Sequence, residues 1–284
     1  MAKPTILLIP GACTEATCFD RLRPLLHDAG YETVAVSHPS ANPTDPFAHT
    51  AETMALNVEQ NYVQPLLDAG KDILVYAYSA GGSQTGTNGP SWTKLAHEAR
   101  GLKGGVIGIV YMSCAPVPAG TTQLDFLGGA LPPFVKTDTV RPLTHPSIPH
   151  PSKQANKQGT NTSPTQPSPG LFVFDPVIPH LFNDAPPSEQ AALARTALPH
   201  ATGILTTPVL PPLWAERALD GRRVWLKAML DATFPPVLAG LFIEGSGMEW
   251  EVVERELGHC GFVAHADVVA EVVLGAAEGW EAGL

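Results

Sequence analysis

The chain is short of cysteine and of basic side chains, and it has no long apolar run. Four cysteines in 284 residues (Cys13, Cys18, Cys114 and Cys260), none in a CxxC spacing, exclude a disulfide scaffold and a Cys/His zinc cluster. Three of them stand beside predicted strand ends, where buried free thiols are common, and this usage points to a reducing compartment. Seventeen Lys and Arg face 27 Asp and Glu, a formal net charge of −10. That balance lacks the basic patches that nucleic acid or an anionic membrane surface requires of a partner. No stretch reaches membrane-spanning length, and the opening MAKPTILLIP holds no apolar segment long enough for a signal peptide, so a cytoplasmic location is expected. Metal and nucleotide signatures are missing as well. There is no HExxH and no P-loop lysine, and the glycines of GGSQTG at 81–86 are wrongly spaced for a dinucleotide fingerprint. No cofactor and no metal are expected.

Proline and glycine, by contrast, are abundant, 55 residues between them, about 19% against a usual ~12%. Nine of them fall at 136–170, a stretch crowded with Pro, Ser, Thr, Asn and Gln that reads as a mobile lid segment. Before it, the chain alternates. Short apolar runs at 5–10, 33–36, 73–76 and 105–112 read as buried strands, separated by helical patterns at 19–29, 50–68 and 92–100. In the longest of these, Met54, Val58, Tyr62 and Leu66 recur every four residues as one buried stripe, with Pro65 as a possible kink. The rhythm stops after Pro116 and resumes with strands at 221–230 and 249–257 and a closing helix from about 265. Such alternation predicts a mostly parallel, doubly wound α/β sheet with ligands at the carboxyl ends of its strands. The core comprises 1–116 and 220–284. The insertion at 117–219, where no strong strand shows, reads as a helical cap with helices at 188–198 and 208–219.

The chain is organised around KDILVYAYSAGGSQTG at 71–86. A strand ends here on Ser79, set among Ala77, Ala80, Gly81 and Gly82. Small neighbours are what a sharp strand-to-helix turn needs if it is to expose a serine hydroxyl. A serine at neutral pH needs a base to take its proton, most often a histidine oriented by a carboxylate. Of ten histidines, His259 lies on the loop directly after the last strand. His265 begins the following helix, His145 and His150 lie in the proline-rich stretch, and His180 and His200 belong to the cap. Asp231 directly follows the strand at 221–230, so it too arrives at the carboxyl edge. Asp220 precedes that strand, and Asp125 and Glu244 read as surface charge. The order Ser79, Asp231, His259 is that expected of this architecture. Backbone N–H groups of Ala80 and of Ala12, on the loop after the first strand, complete an oxyanion hole.

Four segments, LLIPGA, AYSAGG, MLDATFP and LGHCGF, resemble the α/β-hydrolase branch that contains plant methylesterases, hydroxynitrile lyases and their fungal and bacterial relatives. The resemblance spans essentially the whole chain and is weakest in the cap. It implies the α/β-hydrolase fold. Pro10-Gly11 stands where the branch usually has His-Gly, Ala77 replaces the first glycine of Gly-x-Ser-x-Gly, and Cys260-Gly261 replaces Ser-Pro after the histidine. None of these departures removes a catalytic group.

The expected activity is that of a cofactor-free serine hydrolase acting on a small or medium-sized hydrophobic ester, thioester or lactone through an acyl-enzyme. The same triad also serves C–C bond cleavage, lyase or isomerase chemistry, and some hydrolase scaffolds act as ligand-binding receptors. The partner is a small-molecule substrate, and the oligomeric state stays open between monomer and homodimer. Cys13, Tyr78, Phe126, Leu131, Phe134, Phe182 and Trp214 are the expected pocket residues, an apolar set that favours hydrophobic substrates.

Overall fold

A computed structural model describes residues 3–137 and 170–281. The mobility expected of 136–170 therefore concerns residues that, apart from Lys136, Thr137 and Gly170, lie outside the described ones. In chain order the strands are β1 (Thr5–Ile9), β2 (Thr33–Ala35), β3 (Asp72–Tyr78), β4 (Gly105–Met112), β5 (Val135–Thr137), β6 (Leu171–Phe174), β7 (His200–Ala201), β8 (Arg223–Ala228) and β9 (Glu251–Arg255). Six of them form one sheet in the order β2-β1-β3-β4-β8-β9, and every pairing in it is parallel. This is the α/β-hydrolase fold expected from the sequence.

β3 and β4 occupy the middle and are buried along almost their whole length, which is why they read as unbroken apolar runs. Successive side chains alternate between faces. Leu74 and Tyr76 join Leu22, Leu26, Val269 and Val273 on one side, while Ile73 and Val75 join Val58, Val63 and Leu67 on the other. The sheet is thus covered on one face by the helices Leu22–Asp28 and Ala266–Glu281 and on the other by the helical run that starts at Ala51.

That run departs from the expected stripe. A π-helical turn at Glu59–Val63 inserts one residue between the α-helices Ala51–Val58 and Gln64–Asp68. The buried positions after Met54 and Val58 are therefore Val63 and Leu67, and Tyr62 and Leu66 are only half-buried. Pro65 follows directly, and a residue without an N–H is best placed where the regular ladder is already interrupted.

The stretch between β4 and β8 contains more than helices. β5, β6 and β7 form a small antiparallel sheet with β6 in the middle. The helix expected over 188–198 is found at Pro187–Ala194, but it buries none of its residues. In place of a helix at 208–219 there are two single turns, Leu213–Ala215 and Arg217–Leu219. Pro208, Pro211 and Pro212 stop any longer helix there.

Candidate active site

Ser79 stands at the carboxyl end of the central strand with φ +52°. A non-glycine residue in this left-handed region carries about 1–2 kcal/mol of strain, and such outliers cluster at functional sites. The surroundings leave no choice of neighbour. A Cβ on Gly81 would lie 2.7 Å from the carbonyl oxygens of both Ile9 and Pro10, and one on Gly82 would meet Cys114 at 2.9 Å. The chain therefore enters a tight turn, Ser79–Gln84, with the serine side chain held clear of it.

His259, 1% exposed, places Nε2 3.0 Å from the Ser79 Oγ and Nδ1 2.8 Å from the Asp231 Oδ2. Asp231 is 4% exposed, and its other oxygen accepts from the backbone N–H groups of Thr233 (2.8 Å) and Phe234 (2.7 Å). An ionised carboxylate only accepts, so the His259 proton resides on Nδ1 and Nε2 is free to accept from the serine hydroxyl. The relay can thus lift a proton from Ser79 and stabilise the imidazolium that results.

The three residues picked from sequence converge at one point, and the rejected acids lie elsewhere. Asp220 pairs with Arg223 at 2.8 Å, Asp125 sits in the first turn of the helix Gln123–Phe126, and Glu244 belongs to the helix Pro236–Gly245. Of the other histidines, His145 and His150 lie outside the described residues. His180 stacks on Phe134, with ring centroids 3.9 Å apart.

A cavity of about 770 Å³, including its mouth, opens above the relay. Ser79, His259, Ala12 and Ala80 all line it, so the two residues expected to donate to an oxyanion face the same space as the serine. Most of the wall is apolar, with Leu127, Leu131, Phe134, Phe172, Phe174 and Phe234 among its larger members. No Asp, Glu, Lys or Arg is among the described lining residues.

Of the expected pocket residues, Leu131 and Phe134 line this cavity and five do not. Trp214 is 6% exposed and packs in the core cluster behind the sheet with Trp225 and Trp250. Phe182 is buried in the opposite cluster, and Phe126 packs against Phe242 at 4.6 Å between centroids. Tyr78 lies beneath the histidine, its ring 5.0 Å from that of His259 and its hydroxyl 2.9 Å from the Cys260 sulfur. Cys13 is buried, its thiol pushed up to about 12 by burial, and so is held as an uncharged thiol. Cys13, Tyr78, Phe182 and Trp214 are thus interior to the core and not to the cavity, and Phe126 is only half-buried.

Residues missed from sequence include Ser83 and Gln123. The Gln123 amide hydrogen-bonds the Ser83 hydroxyl, which in turn donates to the Ala80 carbonyl at 2.9 Å. This ties the first helix after β4, Gln123–Phe126, to the serine turn. Phe172 and Phe174, on β6, were also missed, and only their alternation in LFVF hinted at a strand face. Among the described residues no group of three or more His, Cys, Asp or Glu is placed to hold a metal ion, and no helix is long and apolar enough to cross a membrane.

Residues 6–272 match the model of the alpha/beta hydrolase family, and the chain belongs to that family. Its likeness to individual proteins is more distant. The Phoma sp. protein named Probable hydrolase R7 is 29% identical over 129 residues, which are 45% of this chain and 50% of that protein. The chain thus spans about half the length of the curated relatives it matches. Among solved structures, a pyrethroid hydrolase from Sphingobium faniae JZ-2 superimposes with a TM-score of 0.66 at 18% identity, covering 97% of both chains. A methylesterase from Arabidopsis does so with a TM-score of 0.61 at 16% identity, over 97% of this chain and 99% of that one.

Proposed function

We propose that this protein is a serine hydrolase that cleaves a small or medium-sized hydrophobic carboxylic ester, thioester or lactone through an acyl-enzyme. One observation carries the reading: the unbroken hydrogen-bonded path from Ser79 through His259 to Asp231 at the floor of an apolar cavity. In the reaction, the Ser79 oxygen attacks the substrate carbonyl carbon while His259 Nε2 takes its proton. The backbone N–H groups of Ala12 and Ala80 hold the negative oxygen of the tetrahedral intermediate. As that intermediate collapses, the alcohol or thiol leaves with the proton from His259. Water, activated by the same histidine, then attacks the acyl carbon and releases the acid and free Ser79. Asp231 stays ionised and stabilises the imidazolium at each step. The uncharged wall favours acyl and alcohol parts that are aliphatic or aromatic over sugars, peptides or phosphates. The family membership and the esterase and hydrolase names among its structural relatives support an ester-cleaving reading.

Pre-steady-state hydrolysis of p-nitrophenyl esters tests this. A burst of nitrophenol equivalent to the protein concentration is expected, and Ser79→Ala should lose both burst and turnover. Undiminished turnover in Ser79→Ala would overturn the reading.

A further inference from the structure

Five consecutive residues of the insertion, His180 to Asp184, bracket both partners of Ser79. On the acid side, the Asn183 Nδ2 donates to the Leu230 carbonyl at 2.8 Å, and the Thr233 hydroxyl donates to the His180 carbonyl at 2.7 Å. These contacts flank Asp231. On the base side, the Gly258 N–H donates to the Asp184 Oδ2 at 2.7 Å, and the Cys260 N–H donates to the Leu181 carbonyl at 3.1 Å. These contacts flank His259. The fit is close, for a Cβ on Gly258 would lie 2.4 Å from the Asn183 Oδ1 and 2.6 Å from the Asp184 Oδ1. The Asp184 side chain is 3% exposed, and its nearest cation-forming neighbour, His265, stands 3.9 Å away.

A buried carboxylate is costly unless it is paired, and one use that offsets the cost is to accept from a backbone N–H group. The Asp184 Oδ2 does so, while its Oδ1 has no hydrogen-bond partner among the described residues. Here that use fixes the residue immediately before His259. We propose that Asp184, aided by Asn183, is a positioning residue: it holds the two loops so that the imidazole stays in line with both Ser79 and Asp231. The inference rests on the triad reading above. It gives the insertion a second role beside walling the cavity, because the loops that carry the acid and the base are joined through it. A misplacement on the order of 1 Å in such a constellation costs about 10²-fold in rate.

The test measures the rate at which a small fluorophosphonate labels the protein, so that no substrate need be known. Wild type and Ser79→Ala are compared first; failure of the wild type to label, or equal labelling of Ser79→Ala, overturns the triad reading itself. Given a labelled wild type, Asp184→Ala should lower the saturating labelling rate about 10–100-fold with probe affinity little changed, after normalisation to folded protein. Asp184→Asn, which keeps an oxygen for the Gly258 N–H, should recover most of that loss. Asn183→Ala, at a half-buried position, should slow labelling several-fold and carries the test if Asp184→Ala does not fold. A wild-type rate in both alanine variants, a loss confined to probe affinity, or an Asp184→Asn as slow as Asp184→Ala would overturn the positioning role.

Discussion

A Cβ placed on Gly11 would stand 2.7 Å from the Cβ of Ser79. The loop that carries Ala12 and the turn that carries the serine are therefore in direct contact, with glycine as the spacer. The next neighbours are ring carbons of Tyr78 at 2.9 and 3.0 Å, and that ring is itself wedged between His259 and Phe262. Neither side can yield without moving a reacting group.

Gly11→Ala should accordingly cost about 1–3 kcal/mol of stability, as overpacking does, and lower ester hydrolysis more than stability explains. Thermal unfolding together with kcat checks this. Wild-type kcat in a destabilised variant would show that the loop shifts without disturbing the reaction.

Asp231→Asn separates geometry from charge. An asparagine oxygen can still accept from Thr233 and Phe234, so the turn should survive and Tm should change little. Its amide would then face the His259 Nδ1 as a donor and force the proton onto Nε2, leaving nothing to accept from Ser79. Turnover should fall by about 10⁴-fold. Measured kcat within tenfold of wild type would mean that another carboxylate orients His259.

Trp214→Ala should destabilise without redirecting specificity. A buried tryptophan truncated to alanine costs about 3–5 kcal/mol, and Trp214 lies behind the sheet, away from the cavity. The ratio of rates on p-nitrophenyl acetate and on a bulky aromatic ester should stay constant, whereas Phe134→Ala should change it. A ratio altered by Trp214→Ala alone would place that side chain against the substrate.

The difference between Trp214 and Phe134 shows where sequence becomes insufficient. Ser79, Asp231 and His259 each follow a strand with its own local signal, and parallel topology delivers all three to one edge. The cavity wall depends on how the stretch between β4 and β8 folds back. Its strands are short, its helices weakly patterned, and an apolar side chain there looks the same whether it faces core or cavity. The Asn183-Asp184 bracket had no periodicity or motif to reveal it. Tyr62 and Leu66 illustrate another limit, since a single π turn moves a correct stripe by one residue.

Stability should fall as pH drops from about 6.5 toward 4. His38 and His200 are buried, and their pKa values are lowered to about 3 and about 4, chiefly by burial, with His200 adding repulsion at His38. Both are neutral in the folded chain while the unfolded chain takes up protons near pH 6.5. Protons therefore favour unfolding in this window, by about 1.4 kcal/mol per pH unit for each histidine. His38→Phe removes one of these two groups and should flatten the dependence of Tm on pH. An unchanged slope would show that other groups govern acid unfolding.

The most direct measurement of the central claim is peptide mass spectrometry after exposure to a fluorophosphonate. The relay predicts one covalent adduct, on the peptide that carries Ser79, and none in Ser79→Ala. An adduct on another serine, or one that persists in Ser79→Ala, would contradict it.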